Sequence, residues 1–385
     1  MIGRRNRLKK KAQRRRRSSI LKKSSSMEVV PLDDTITLNS WMEDNYTDHY
    51  FLFDSLNVVP ATHNSGAVFS KKIKNCIPWR WSKCQYLTIT DQLNNGIRCL
   101  DLRLKLVRDS SNNSHYQIVH YFESTYSFMD IMNEVNAFLK ENPKETVFIM
   151  IKPDWNTRKN WEFNDLDIMW KKIRDLDFVF KKNDSYEGVE KLLLHQLRFK
   201  HVRGKAIIMP NGHFYKTYKN IATTDKVNTG LDIDCIHDVK IVYPNFINRC
   251  ENWDIGTINA AKIHIETFLK NNIVNKQKMV NTQGNSDDEK TDDNQVIDIK
   301  WFETNVFPLI ETNVLLWKGC LPPSISCKFM HPYLKQNCSK QSSSSNSDIC
   351  YVKKLGFVLL DYADPTLIRS LLSNNKCVHD YVNDM

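Results

Sequence analysis

Several short, β-rich runs of this 385-residue sequence end in groups that can move a proton or hold an anion. The first runs into Ala61, Thr62, His63, Asn64, Ser65 and Gly66; the second carries Asp101 and Arg103; the third ends in His120, the fourth in Lys152 and the last in Asp361. Two imidazoles, a guanidinium and strand-borne carboxylates suit a phosphodiester whose own hydroxyl is the nucleophile. One imidazole takes the hydroxyl proton, the other gives a proton to the leaving oxygen, and the guanidinium neutralises the phosphoryl oxygens. That scheme calls for no metal and no cofactor. Each residue taken singly has a bland alternative. A histidine at a strand end is usually structural, Asp361 could bond a neighbouring amide, and Asp101 and Arg103, on one face of a strand, could be a salt bridge. Their coincidence at five strand ends is what points to a site.

Residues so spread along a chain meet only if the strands gather their C-terminal ends, as a parallel barrel does. Candidate strands are Leu56 to Pro60, Ile97 to Leu106, Gln117 to Tyr121, Thr146 to Lys152, Ala206 to Met209, Val239 to Tyr243, Ile299 to Phe302 and Phe357 to Tyr362. Amphipathic segments alternate with them. The clearest is Phe128 to Lys140, with Ser127 and Asp130 as cap signals and Phe128, Ile131, Met132, Val135, Phe138 and Leu139 on one face. Others run from Trp161 to Leu176, Thr257 to Asn271 and Pro365 to Asn374. The expected fold is α/β: a TIM-like (β/α)8 barrel, irregular and in a single domain. No GxGxxG follows the first strand and there are only 11 glycines, so a doubly wound dinucleotide sheet has little support.

Charge divides the chain. The formal net charge is +11, yet Arg4 to Lys23 holds twelve lysines and arginines and no acid, leaving −1 for the remainder. The basic object is therefore a polybasic tail over residues 1–26, expected to be disordered, ahead of a neutral catalytic domain over residues 27–385. Residues 275–294 and 339–348 are polar enough to be surface insertions. A neutral body makes nucleic acid an improbable partner. The ten cysteines show no CxxC and no metal-ligand spacing, so reduced thiols in a cytosolic, monomeric protein are expected. No run approaches eighteen apolar residues.

Four segments carry a family resemblance: VPATHNSG (Val59 to Gly66), WSKCQYLTITDQLNNGIRCLDLR (Trp81 to Arg103), IVH ending at His120, and FLKENPKETVFIMIK (Phe138 to Lys152). Together they resemble the X-type catalytic domain of phosphatidylinositol-specific phospholipases C. The likeness is to the metal-independent bacterial branch and its eukaryotic relatives, including the kinetoplastid enzyme that cleaves glycosylphosphatidylinositol anchors. Looser agreement is found at RGKAIIMP (Arg203 to Pro210) and GFVLLDYAD (Gly356 to Asp364).

The resemblance implies that His63 is the general base on the inositol 2-hydroxyl and His120 the general acid on the diacylglycerol oxygen. Arg103 stabilises the phosphate, Asp361 orients the base, Asp101 partners the acid, and Asn64 and Lys152 bind substrate. It implies a lipid substrate, phosphatidylinositol or its glycosylated form, cleaved to diacylglycerol and inositol 1,2-cyclic phosphate. Asn64 stands where bacterial members usually carry Asp, a change shared with the calcium-dependent branch. That branch, however, has acidic calcium ligands at the positions of Arg103 and Lys152, and two cations there would repel a divalent ion. Tyr121 follows His120 where many relatives have Gly, and Asn211 stands where bacterial relatives carry an inositol-contacting Arg. Cys84 matches a thiol position of the kinetoplastid enzyme, with a buried small side chain as the bland reading.

The competing class is a catalytically idle barrel tethered to a membrane or nucleic acid by its tail. The tail itself fits either an anionic membrane surface, which would make the protein peripheral, or nuclear import through Arg14 to Arg17. Trp79 and Trp81 could sit at a bilayer interface or equally in the core.

Overall fold

Continuous apolar runs make the middle of the sheet. Strands β1 (Val58–Thr62) and β9 (Gly356–Leu360) are buried at every position, and β5 (Thr146–Pro153) at all but Lys152. Such runs mark parallel strands covered on both faces. The computed structural model describes residues 36–68, 82–110, 114–154, 163–181, 197–210, 247–250, 307–311, 323–338 and 355–376, with Lys262, Ile263, Ile265 and Thr267. The remaining strands are β2 (Cys99–Arg108), β3 (Ser114–His120), β4 (Phe122–Ser127), β6 (Lys205–Pro210), β7 (Ile247–Cys250) and β8 (Phe307–Glu311).

All nine form one mixed sheet. Strands β6, β5, β2, β1, β9, β8 and β7 lie side by side and parallel in that order, while β3 runs antiparallel to β2 and β4 antiparallel to β3. Among the described residues β6 and β7 do not pair, so the sheet is open and the closed eight-stranded barrel expected from the sequence is not shown. The third strand is a correction: it is the return arm of a hairpin rather than a parallel barrel strand. The connection from Arg108 to Ser114 is far shorter than the dozen or more residues that a parallel crossover requires. The expected strand at Val239 to Tyr243 lies outside the described residues, as do Ile299 to Phe302, residues 1–26, 275–294 and 339–348, Trp79, Trp81 and Asn211. The described strand nearest to Ile299 is β8.

Helices cover the sheet. Helices α1 (Trp41–Asn45) and α2 (Leu52–Ser55) precede β1, α3 (Ile89–Asn94) precedes β2, and α4 (Phe128–Glu141) follows β4. Both α3 and α4 begin with reciprocal capping boxes, Thr88 with Asp91 and Ser127 with Asp130. The stripe Ile131, Met132, Val135, Phe138 and Leu139 buries α4 against β3, β4 and β5. Further along come α5 (Phe163–Arg174), α6 (Phe199–Val202), α7 (Pro323–Cys338) and α8 (Pro365–Lys376), with α8 packed on β1 and α7. The four described positions between Thr257 and Asn271 are helical.

The N-terminal end of the sheet is fastened by a buried ion pair. Arg98 Nε donates to Glu145 Oε2 at 2.7 Å, its remaining nitrogens donate to the carbonyls of Leu38, Asn39, Leu93 and Ile97, and both side chains are wholly buried. Glu145 also accepts the N–H groups of Met42 and Glu43, which ties α1 across the sheet. The C-terminal end is left for chemistry.

Candidate active site

Register sets the first pair. Thr62 of β1 lies opposite Leu360 of β9, so the next residues, His63 and Asp361, emerge at the same level. His63 N–H extends the ladder to the Leu360 carbonyl at 3.0 Å, and its Nδ1–H donates to Asp361 Oδ1 at 2.9 Å. That bond fixes the tautomer and makes Nε2 the acceptor, a role it fills here toward the Asn64 Nδ2–H at 2.8 Å. Gln85 clamps both strands from above, its Nε2 donating to the carbonyls of His63 at 3.0 Å and Leu360 at 2.8 Å.

A fork in the sheet sets the second group. Strand β2 pairs with β1 only at Cys99 and Leu100, then with β3 from Leu104 onward. Between those stretches lie Asp101 and Arg103, and the loop after β1 fills the fork. Ser65 N–H donates to the Asp101 carbonyl and Asp101 N–H to Ser65 Oγ, both at 2.8 Å, while Asn64 N–H donates to Asp101 Oδ2 at 3.1 Å. Gly66 is needed because a Cβ there would come within 2.7 Å of Ile118 on β3. On the other edge Arg103 lies opposite Lys152 of β5, whose Nζ donates to Asp101 Oδ2 at 2.8 Å. Burial pushes the Asp101 carboxyl up, but Lys152, His63 and Arg103 outweigh it and hold the group well below the usual carboxylate range.

The antiparallel return of β3 brings His120 back down into the fork. Its Nδ1–H donates to the Ser82 carbonyl at 2.7 Å, which leaves Nε2 to exchange a proton. Burial, then Arg103 and His63, hold this imidazole well below its ordinary pKa, so it is neutral in the unliganded site. Asp101, expected from the resemblance to partner the acid, is engaged here by Lys152 and the Asn64 amide, and a main-chain carbonyl holds His120. The two imidazole centroids are 6.1 Å apart with the ring planes at 75°, near enough for one phosphoryl group lying beside the pair to meet both.

Two features show the site to be unfinished. Among the described residues, Arg103 Nε, Asn64 Oδ1 and Asp361 Oδ2 are buried side-chain polar atoms without a hydrogen-bond partner. All three lie here, where they want one acceptor and two donors from a ligand. Among the described residues the non-glycine residues at positive φ are Asn64 at 45°, Tyr121 at 62° and Tyr362 at 50°, and each directly follows a site residue: His63, His120 and Asp361. Such a turn ends the ladder so that the preceding side chain leaves the strand.

All seven residues singled out in the sequence, His63, Asn64, Asp101, Arg103, His120, Lys152 and Asp361, therefore come together. Cys84 joins them, fully buried, with Sγ 3.6 Å from Asn64 Nδ2 and 3.5 Å from His120 Nδ1. Sequence reasoning missed Gln85, the Ser82 carbonyl and Ser65. The first two lie in the WSKCQ segment, whose recurrence in the family resemblance was the available signal. It also missed His331 on α7, whose Nε2–H donates to the Asp361 carbonyl at 3.0 Å.

Residues 73–207 match the family model described as the X domain of phosphatidylinositol-specific phospholipase C, so the resemblance seen in the sequence is borne out. That window holds Asp101, Arg103, His120 and Lys152; His63 precedes it and Asp361 follows it. The chain is 24% identical to the 1-phosphatidylinositol phosphodiesterase of Listeria monocytogenes, over 48% of this chain and 53% of that protein. It is 27% identical to the variant-surface-glycoprotein phospholipase C of Trypanosoma cruzi, over 31% of this chain and 29% of that one. The match thus spans about half or less of these relatives' length. Among solved structures, the Listeria monocytogenes phosphatidylinositol-specific phospholipase C has a TM-score of 0.53 at 17% identity, covering 89% of this chain and all (100%) of that one. A Staphylococcus aureus phosphatidylinositol-specific phospholipase C has a TM-score of 0.54 at 15% identity, covering 88% and 98%. Both are likenesses of fold.

Proposed function

We propose that this chain, with its likeness to the phosphatidylinositol-specific phospholipase C X domain, is a phosphodiesterase of the lyase type. It cleaves phosphatidylinositol or its glycosylated form through attack by the inositol's own 2-hydroxyl. The observation that carries this reading is the set of partnerless buried atoms: Arg103 Nε for an anionic phosphoryl oxygen, Asn64 Oδ1 and Asp361 Oδ2 for hydroxyl donors. A ligand that supplies both is a phosphodiester of a polyol.

In the proposed sequence the phosphodiester sits against the two imidazoles. His63 Nε2 takes the 2-hydroxyl proton while the Asp361 carboxylate stabilises the imidazolium that results. The alkoxide oxygen attacks phosphorus, Arg103 balances charge on the non-bridging oxygens, and protonated His120 gives its proton to the departing diacylglycerol oxygen. The products are diacylglycerol and inositol 1,2-cyclic phosphate. No step is routed through a divalent ion: Arg103 and Lys152 place two cations at the fork, and Asp101 Oδ2 already accepts from Lys152 Nζ and the Asn64 N–H. The polybasic tail, at roughly 1 kcal/mol per basic residue near an anionic leaflet, would keep the enzyme on its substrate surface.

The test is a lipid panel of phosphatidylinositol, a glycosylphosphatidylinositol and phosphatidylcholine, assayed with excess chelator and followed by phosphorus NMR of the soluble product. Cyclic inositol phosphate from an inositol lipid, with turnover surviving chelation, is expected. Cleavage of phosphatidylcholine alone, or activity restored only by calcium, would reject the reading.

A further inference from the structure

We propose that His63, Cys84 and Asp361 form a binding site for a single thiophilic divalent ion, Zn2+ or Cd2+, which inhibits the enzyme by occupying its base. A ring nitrogen of His63, Sγ of Cys84 and a carboxylate oxygen of Asp361 all lie within 4.8 Å of one another, and all three residues are buried. Around a tetrahedral zinc ion, with Zn–N and Zn–O near 2.0–2.1 Å and Zn–S near 2.3 Å, such donors stand roughly 3.3–3.6 Å apart. The existing His63–Asp361 contact of 2.9 Å would open by a few tenths of an ångström, and the thiol would close in by at most about 1.3 Å.

A second observation points to a ligand at this place. Asp361 is 2% exposed, and its Oδ2 has no hydrogen-bond partner although Oδ1 accepts from His63. A buried carboxylate oxygen left unsatisfied is costly unless something binds it. In the proposed function a substrate hydroxyl fills that role; the metal would use the same oxygen, and so the two compete. The donor set is what selects the ion. One imidazole, one thiolate and one carboxylate are the mixed soft and borderline ligands of zinc and cadmium, while calcium and magnesium want six or more oxygens. Binding releases the Cys84 proton to solvent and shifts the His63 ring proton from Nδ1 to Nε2, which removes the base, and the thiolate and carboxylate then balance the two charges of the ion. Asn64 Nδ2, 3.6 Å from Sγ, is placed to donate to that thiolate. Three protein ligands leave a fourth position for water.

Metal binding can be tested independently of the enzymatic reading, although the inhibition rests on it. The chelator-treated, fully reduced full-length protein is titrated with Co2+. One equivalent should give a thiolate-to-cobalt charge-transfer band together with the intense d–d bands of a four-coordinate ion, both displaced by one equivalent of Zn2+. Changes outside the first shell alone can cost 10–100-fold in metal affinity, so Cys84→Ser and Asp361→Asn should each weaken this event by at least about 100-fold. Wild-type protein showing only an octahedral, sulfur-free spectrum would overturn the site, with no variant needed. Persistence of the one-equivalent event in Cys84→Ser would assign it to other cysteines, and in Asp361→Asn to a ligand set without that carboxylate; either would overturn the site. Zn2+ should inhibit wild-type lipid cleavage reversibly on chelation, with Ca2+ and Mg2+ without effect; tight cobalt binding with unimpaired cleavage would overturn the competition. A protein that binds cobalt as described and cleaves no lipid would refute the proposed function and uphold the metal site.

Discussion

A phosphodiester entering this site should carry a proton in with it. His120 must be charged to act as an acid, yet in the unliganded protein burial, Arg103 and His63 hold it neutral, against the favourable bond to the Ser82 carbonyl. A monoanion seated beside two rings whose centroids are 6.1 Å apart lies close to both. At an effective dielectric of 20, a unit charge about 4 Å away favours the imidazolium by about 4 kcal/mol, roughly a 10³-fold change in its protonation equilibrium. Binding and protonation are therefore linked. Affinity for an inositol phosphodiester lacking the 2-hydroxyl, which cannot be cleaved, should rise by up to about tenfold for each pH unit lowered while His120 is neutral free and charged bound. Isothermal titration calorimetry at neutral pH, in two buffers of different ionisation enthalpy, counts the protons. Uptake near one proton is expected for the wild type and near zero for His120→Gln. Buffer-independent heats in the wild type, or equal uptake in His120→Gln, would refute the assignment of His120 as the acid.

Four further outcomes are expected. Replacing His63 or His120 by Ala should lower lipid turnover by at least roughly 10²-fold, and Arg103→Lys should be crippled too because a point charge cannot reproduce the planar two-pronged contact, all read in the micellar lipid assay. Arg98→Met leaves the wholly buried Glu145 carboxylate without its cation, so denaturant titration should show a loss of about 3–5 kcal/mol. The depressed pKa of His120 makes its contribution to stability complete above the unfolded value near 6.5 and progressively lost as pH falls below it, because there the unfolded chain binds the proton and the native one does not; melting temperatures of wild type and His120→Gln should converge as pH drops through this window. Deleting residues 1–26, or substituting Ser18→Glu with Ser19→Glu, should weaken cosedimentation with anionic vesicles at physiological salt, the deletion more strongly.

The parts legible in the sequence are those where one residue type has one physical meaning. Strands β1, β5 and β9 could be read because burial on both faces writes an unbroken apolar run. Helix α4 could be read because Ser127 and Asp130 cap a stripe of period 3.6. The titratable residues could be read because strand ends seldom carry His, Arg and Asp together. The β3–β4 hairpin was less visible: FESTYS, the run that forms β4, has little apolar character because it pairs at an edge of the sheet. The partner of His120 could not be read at all, since a main-chain carbonyl belongs to every residue and Ser82 signals nothing by its type. Asp101 illustrates the same limit from the other side. Its carboxylate had several plausible cations within reach, and only the register of β2 against β5 decides for Lys152.

The sheet divides its costs between two ends. At the N-terminal end Arg98 and Glu145 have their polar groups engaged by carbonyls, amides and each other, and Trp41 and Phe138 lie beside the guanidinium. A network so completed fixes the fold and leaves nothing for a ligand. At the C-terminal end the chain does the reverse. It holds two tyrosines and an asparagine in left-handed backbone, a cost of order 1–3 kcal/mol each, and leaves Arg103 Nε, Asn64 Oδ1 and Asp361 Oδ2 unpaired. Tyr362 is partly compensated, its N–H donating to the Cys84 carbonyl at 2.8 Å and its hydroxyl to the Lys83 carbonyl at 2.7 Å. Those same bonds dock the stretch Ser82 to Gln85 beside Asp361 and so carry Cys84, Gln85 and the Ser82 carbonyl into the site. Tyr121 lies against the His120 ring, 5.1 Å away, and is 72% exposed. Strain and unmet polar demand at one end persist because the other end is fully satisfied. Substitutions at Arg98 or Glu145 should therefore register in stability first, and those at His63, Arg103 or His120 in turnover first.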